Sequence, residues 1–224
     1  MAKARIVHRY HLRAVRTEAA VPFTTLKNQF NSMNYELDAT YHVYNRCNQL
    51  MFYTKENYIY FLRKIRKHIL PYADILCYCL MPNHFHLLLC VNKKGIKLKN
   101  GTNSKQLISH NLGIMLSSYT QAINQQENRK GSLFAHSTKS IMLNMKGNDY
   151  LLNCFMYIHQ NPLLAGIVDR IEDWEYSSYP DYIGKRNGSL INLNLGLDVL
   201  NIEREDIEVI TNQLLIDKTD EDFL

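Results

Sequence analysis

Two apolar runs separated by only two residues set the tightest limit on what this chain can fold into. "DILCYCLM" and "HFHLLLCV" flank Pro82-Asn83, and runs of this length across so short a turn pair as antiparallel strands. Upstream, "TYHVYNRC" alternates Tyr41, Val43 and Asn45 against His42, Tyr44 and Arg46, which also reads as a strand. Between them Thr54 can cap a helix in which Tyr58, Phe61, Leu62, Ile65 and Ile69 recur at helical spacing; Pro71 ends it. Helical spacing returns at Ile108, Leu112, Met115, Tyr119 and Ile123, and Gly131 precedes a short strand candidate in "LFAHSTKSIML". The order β-α-β-β-α-β specifies an α+β, ferredoxin-like sheet with both helices on one face. The opposite face is then free to hold a site. A last helix, from about Asp149 to Gln160, is expected to stop at Asn161-Pro162.

The hydrophobic share of 46% supports a real core, and no apolar run approaches the roughly 20 residues of a membrane span. No secretory leader is visible, so no membrane association is expected. Five scattered cysteines, Cys47, Cys77, Cys79, Cys90 and Cys154, read as reduced thiols of a cytoplasmic protein. None stands in a CxxC zinc knuckle.

The net charge of +5 hides an asymmetry: residues 201–224 carry eight acids and two bases, so residues 1–200 are strongly basic. A basic body suggests a polyanionic partner. Residues 1–33 read as a basic arm or a misassigned start, 34–185 as the patterned domain, and 186–224 as an acidic tail. The segment "NKKGIKLKNGTN" is a loop rich in Lys93, Lys94, Lys97 and Lys99.

Side chains two apart on a strand share a face, so His84 and His86 point one way and Phe85 the other. If Phe85, Leu87 and Leu89 face the helices, the imidazoles face the open side of the sheet. Two imidazoles on a rigid strand supply two-thirds of a divalent-metal site. The plain alternative is a pair of partly exposed strand histidines. On the last helix Leu152, Phe155, Met156 and His159 form one stripe, and Tyr150, Asn153, Tyr157 and Asn161 another. Tyr157 and Asn161 are one turn apart. An amide oxygen suits a hard metal, and a tyrosine one turn away would sit near whatever that metal binds. Read blandly, the same two residues are a packing tyrosine and a capping asparagine.

The series "YHVYNR", "CLMPNHFHLLL", "GSLFAHSTKS", "YIHQNPLLAGIV" and "WEYSSYPDYIG" resembles the single-tyrosine HUH transposases, in particular their REP-associated branch. The resemblance runs from about Thr40 to Gly184. It implies a ferredoxin-like fold, a divalent metal (Mg2+ or Mn2+) and single-stranded DNA strand transfer through a tyrosine; hairpin-bearing single-stranded DNA is the expected partner, residues 34–185 the expected domain, and a monomer or homodimer the expected state. Carried over by motif, His84 and His86 are the metal pair, Asn161 fills the third-ligand place, and Tyr157 is the nucleophile that forms a 5′-phosphotyrosine. Tyr150 remains a rival nucleophile. Arg46, Lys93, Lys94, Lys97 and Lys99 are candidates to track phosphates and Tyr44 to stack on a base, against solvated lysines and a packed tyrosine. Competing expectations are another HUH enzyme, such as a relaxase or replication initiator, and a non-catalytic module that binds single-stranded nucleic acid on exposed sheet aromatics.

Overall fold

The computed structural model describes residues 34–101, 105–144 and 148–213. The basic segment 1–33 and residues 214–224 of the expected tail lie outside the described residues. Strand β1 (Thr40–Arg46) leads to helix α1 (Lys55–His68), strands β2 (Ala73–Met81) and β3 (His84–Val91), helix α2 (Leu107–Gln126) and strand β4 (Lys139–Met142). The sheet is antiparallel throughout, in the order β2-β3-β1-β4. The element order is the expected one.

The apolar periods dictate which face each helix takes. Tyr58, Phe61 and Ile65 of α1 and Ile108, Leu112, Met115, Tyr119 and Ile123 of α2 are buried with Tyr41, Val43, Phe85, Leu87 and Leu89 of the sheet. Each fully buried side chain of this kind contributes about 1.5–3 kcal/mol. At the start of α1, Asn57 Oδ1 accepts from the backbone N–H of Thr54 at 3.1 Å and of Tyr53 at 3.0 Å. These bonds satisfy two donors at the helix entrance. The register shifts between Ile75 and Cys77, a bulge that turns Leu76 onto the same face as Cys77 and Cys79. Strict alternation would place Leu76 opposite them. The fourth strand is also shorter than its candidate run: Asn45 Nδ2 donates to His136 O (3.1 Å) and Thr138 Oγ1 (2.9 Å), so residues before Lys139 bond to a side chain instead of a ladder.

The opposite face of the sheet is not open. Helix α3 (Asn148–Leu164) lies across it, with Leu152, Phe155, Met156 and Ile158 packed on Leu76, Cys77, Cys79, Leu88 and Cys90. The cause is that this sheet face is itself largely apolar and the apolar stripe of α3 buries it. The helix also runs past its expected stop, with Pro162 inside its last turn. A proline there lacks one N–H donor, yet Ala165 N still reaches Asn161 O and Ile167 N reaches Pro162 O, each at 2.9 Å.

Beyond α3, residues 176–178 add to the outer edge of β2: Leu80 N donates to Tyr176 O and Ser178 N to Tyr78 O, both at 2.9 Å. Helices α4 (Tyr179–Tyr182), α5 (Leu193–Leu200) and α6 (Ile207–Gln213) complete the fold. The span from residue 186 is therefore no tail as far as Gln213. Leu200, Ile207 and Ile210 are buried in the α3 core, and Gln160 Nε2 donates to Thr211 O at 3.0 Å. Asp198, Glu203, Glu205 and Glu208 are exposed beside these buried residues, an amphipathic pattern that charge counting alone does not reveal.

Candidate active site

The two histidines sit on the face that α3 covers, opposite α1 and α2. His84 opens β3 directly after the Pro82-Asn83 turn, and His86 follows beneath the helix, 1% exposed. Their rings stand 5.0 Å apart and perpendicular. His84 Nδ1 pairs with Asn83 Oδ1 at 2.7 Å, which fixes Nδ1 as the protonated atom and leaves a lone pair on Nε2. His86 Nδ1 pairs with His42 Nε2 at 2.9 Å. Among the described residues neither His84 Nε2 nor His86 Nε2 has a hydrogen-bond partner, although both atoms are buried. Two buried imidazole nitrogens with no partner, each held from behind through its other nitrogen, match the pattern of metal-ligating histidines. Both rings are neutral, as ligation demands. Burial lowers His84 to about 4 and His86 well below the usual imidazole range, with neighbouring His84 and His42 adding to the latter.

Tyr157 and Asn161 project from α3 onto the same spot. The Tyr157 ring meets the His86 ring edge to face at 5.5 Å. Asn161 Nδ2 donates to Tyr157 O at 2.9 Å, which ties the amide to its own helix and leaves Oδ1 as its other polar atom. The amide is close enough to His84 to oppose the burial shift there, and close enough to Tyr157 to stabilise its ionised form. Burial raises Tyr157, which is 7% exposed; Asn161 and the positive charge of Arg46 pull it back down. Among the described residues no three His, Cys, Asp or Glu side chains gather as a metal site. A third protein donor beside the two histidines would therefore come from outside that set; the Asn161 amide lies beside His84, and two imidazoles with an amide oxygen fit a divalent ion.

The remaining candidates divide by position. Arg46 is exposed and stands directly across the sheet from His84. Tyr44 lies across from His86 but is only 8% exposed, stacked on His42 at 4.7 Å, with Lys139 Nζ 5.5 Å from its ring centre. It forms a wall of the site, and its ring is already engaged. Lys93, Lys94, Lys97 and Lys99 follow the far end of β3, about 23 Å along the strand from His84. They do not belong to the histidine cluster. Tyr150, the rival to Tyr157, acts with it on Tyr44, so both hydroxyls are near this wall. His159 points elsewhere: its Nε2 pairs with Ser178 Oγ at 2.8 Å in the core.

His42 is the site residue that the motifs alone do not single out. Its signal is present in "TYHVYNR", where it shares a strand face with Tyr44; only the β1–β3 register brings that face alongside His86.

No family model and no curated protein matches the chain. Among solved structures it is similar to a REP-associated tyrosine transposase bound to a REP hairpin. That likeness covers 73% of this chain and 88% of the other, at 15% identity and a TM-score of 0.49. Among the described residues no helix is long and apolar enough to cross a membrane.

Proposed function

We propose that this chain is a metal-dependent nuclease and strand transferase of the single-tyrosine HUH kind, built on a ferredoxin-like sheet and acting on hairpin-bearing single-stranded DNA. What supports the reading is one convergence. Two buried, unpartnered Nε2 atoms on β3 meet an amide and a tyrosine one turn apart on α3.

A divalent ion, Mg2+ or Mn2+, held by His84, His86 and Asn161 would supply Lewis-acid polarisation of a phosphate. Tyr157 Oη then forms a bond to phosphorus while the P–O3′ bond breaks. The electron pair leaves on the 3′ oxygen, which takes up a proton, and the tyrosine proton passes to solvent. A phenol near pH 7 is protonated, so the reaction needs its ionised form stabilised. Arg46 and Asn161 both act in that direction. The product is a 5′-phosphotyrosine, whose ester a second 3′-OH can reopen by the reverse step. His159 is not the base, because its ring is buried and engaged by Ser178.

The RNA-recognition reading needs aromatics presented on the free face of the sheet. Here α3 covers that face and Tyr44 is buried beneath it. A relaxase or replication initiator would use the same residues and differs in its DNA. The test is incubation with Mn2+ and labelled, hairpin-bearing single-stranded DNA, resolved on a denaturing gel. A protein-linked band that EDTA prevents is expected; unaltered DNA, or cutting that EDTA leaves untouched, refutes the reading.

A further inference from the structure

A cavity of about 470 Å3 is lined by His84 but not by His86. It lies within the ~300–1,000 Å3 range of sites that hold a small molecule. Three pieces of chain form it: Arg46 at the end of β1 with Asn48, Gln49 and Leu50 after it, the turn Met81 to His84, and Ala165 with Ile167 just past α3.

Its walls are held firmly. Cys47 N donates to Asn83 O at 2.7 Å, and Met51 N and Phe52 N donate to Pro82 O at 2.7 and 3.1 Å. These bonds clamp the loop to the turn that carries His84. The bond from Ile167 N to Pro162 O fixes the opposite wall to the helix that carries Asn161. The cavity is therefore preformed, and shares His84 and Arg46 with the candidate site.

Its chemistry is specific in kind. Leu50 and Ile167 are two large apolar side chains left exposed, at 46% and 39%, and both line it. Asn48 and Gln49 add amide donors and acceptors. Arg46 is the only fully charged side chain among the described lining residues, and it is a cation. A planar, apolar-faced group with a hydrogen-bonding edge, attached to an anion, satisfies all three features, and a nucleotide has that form.

We infer that this cavity binds the base of a nucleotide next to the scissile phosphate, between Leu50 and Ile167, with its edge toward Asn48 and Gln49 and its phosphate toward Arg46. The inference rests on the reading given above as to the substrate, but it concerns where the strand is gripped and not how it is cut. It makes the cavity a determinant of which base flanks the cleavage point.

The probe is hairpin-bearing single-stranded DNA whose flanking positions are random in sequence and carry 4-thiothymidine and 6-thioguanine. Binding is read by anisotropy, and long-wave irradiation is followed by peptide mapping. Nucleotide adducts are expected within residues 47–50 or 165–167. Leu50→Glu should weaken binding at least tenfold. Leu37→Glu should not, although Leu37 is equally exposed at 45%, because it lies before β1 at the other end of the sheet. Both positions are exposed, so neither change threatens the fold. Binding by the wild type with adducts only elsewhere, or with Leu50→Glu unaffected, overturns the inference alone. No binding of this hairpin-bearing probe by the wild type overturns the proposed function and the inference together.

Discussion

His42 Nε2 lies 2.9 Å from His86 Nδ1, across the β1–β3 ladder and beneath α3. That contact holds His86 by one nitrogen, while its other, Nε2, is buried with no hydrogen-bond partner among the described residues. Groups that orient a ligand through its second nitrogen commonly matter roughly 10–100-fold in metal affinity. His42→Ala should therefore weaken Mn2+ binding by about that range in calorimetry, while His42→Gln, which keeps a hydrogen-bonding atom nearby, should lose less. Unchanged affinity in His42→Ala would show that the ring merely fills space.

Acid should destabilise the fold through its buried imidazoles. His159 is lowered to about 3, by burial first and by Arg186 second. Between that value and the unfolded imidazole's, the unfolded chain binds the extra proton, so stability is full above pH ~6.5 and falls as pH drops, by about 1.4 kcal/mol per unit for one such group. Melting temperature followed from pH 7 to 4.5 should decline steadily. His159→Gln should start lower, because Ser178 Oγ loses one of its partners and keeps only those to the Tyr78 backbone, but should decline less steeply. A parallel slope would remove His159 from the account.

The C-terminal helices should prove structural. Ile207 is fully buried against the α3 core, so Ile207→Ala should cost about 2–5 kcal/mol in denaturant unfolding. Truncation after Asn201 should be worse, since it strips Ile207, Ile210 and Thr211 from the back of the helix that carries Tyr157. A truncated protein as stable as the full chain would contradict this packing.

Much of the fold is legible in the sequence because β1, β2, β3, α1 and α2 carry clean periods and sharp turn residues. The histidine pair and the Tyr157–Asn161 spacing are legible for the same reason: both are short-range facts, two residues on a strand and four on a helix. What escapes the sequence is long-range. Nothing in "DYLLNCFMYIHQNP" says that it roofs the histidine face; that follows from which surface remains to be buried once α1 and α2 have taken the other. The bulge at Leu76 and the contact of His42 with His86 depend on register, which no single strand encodes. Acids at 203–208 obscure Ile207 and Ile210, whose spacing is helical but brief.

The lysine loop at the far end of β3 should affect binding without affecting chemistry. Replacing Lys93, Lys94, Lys97 and Lys99 by alanine should flatten the salt dependence of single-stranded DNA binding, by up to roughly 0.7 in log–log slope for each phosphate that is no longer neutralised. Cleavage at saturating DNA should be unchanged. A fall in the saturated rate would place the loop nearer the reacting phosphate than the strand length allows.

The most direct test of the account is to find the atom that becomes attached to DNA. Nuclease digestion of the Mn2+-dependent adduct, followed by peptide mapping, should leave a phosphonucleotide on Tyr157. Tyr157→Phe keeps the ring against His86 and should lose only about 1 kcal/mol of stability at most, while forming no adduct at all. A phosphonucleotide on Tyr150, or wild-type cleavage by Tyr157→Phe, contradicts the assignment. Cleavage that leaves no tyrosine modified would make water the nucleophile and the protein a hydrolase.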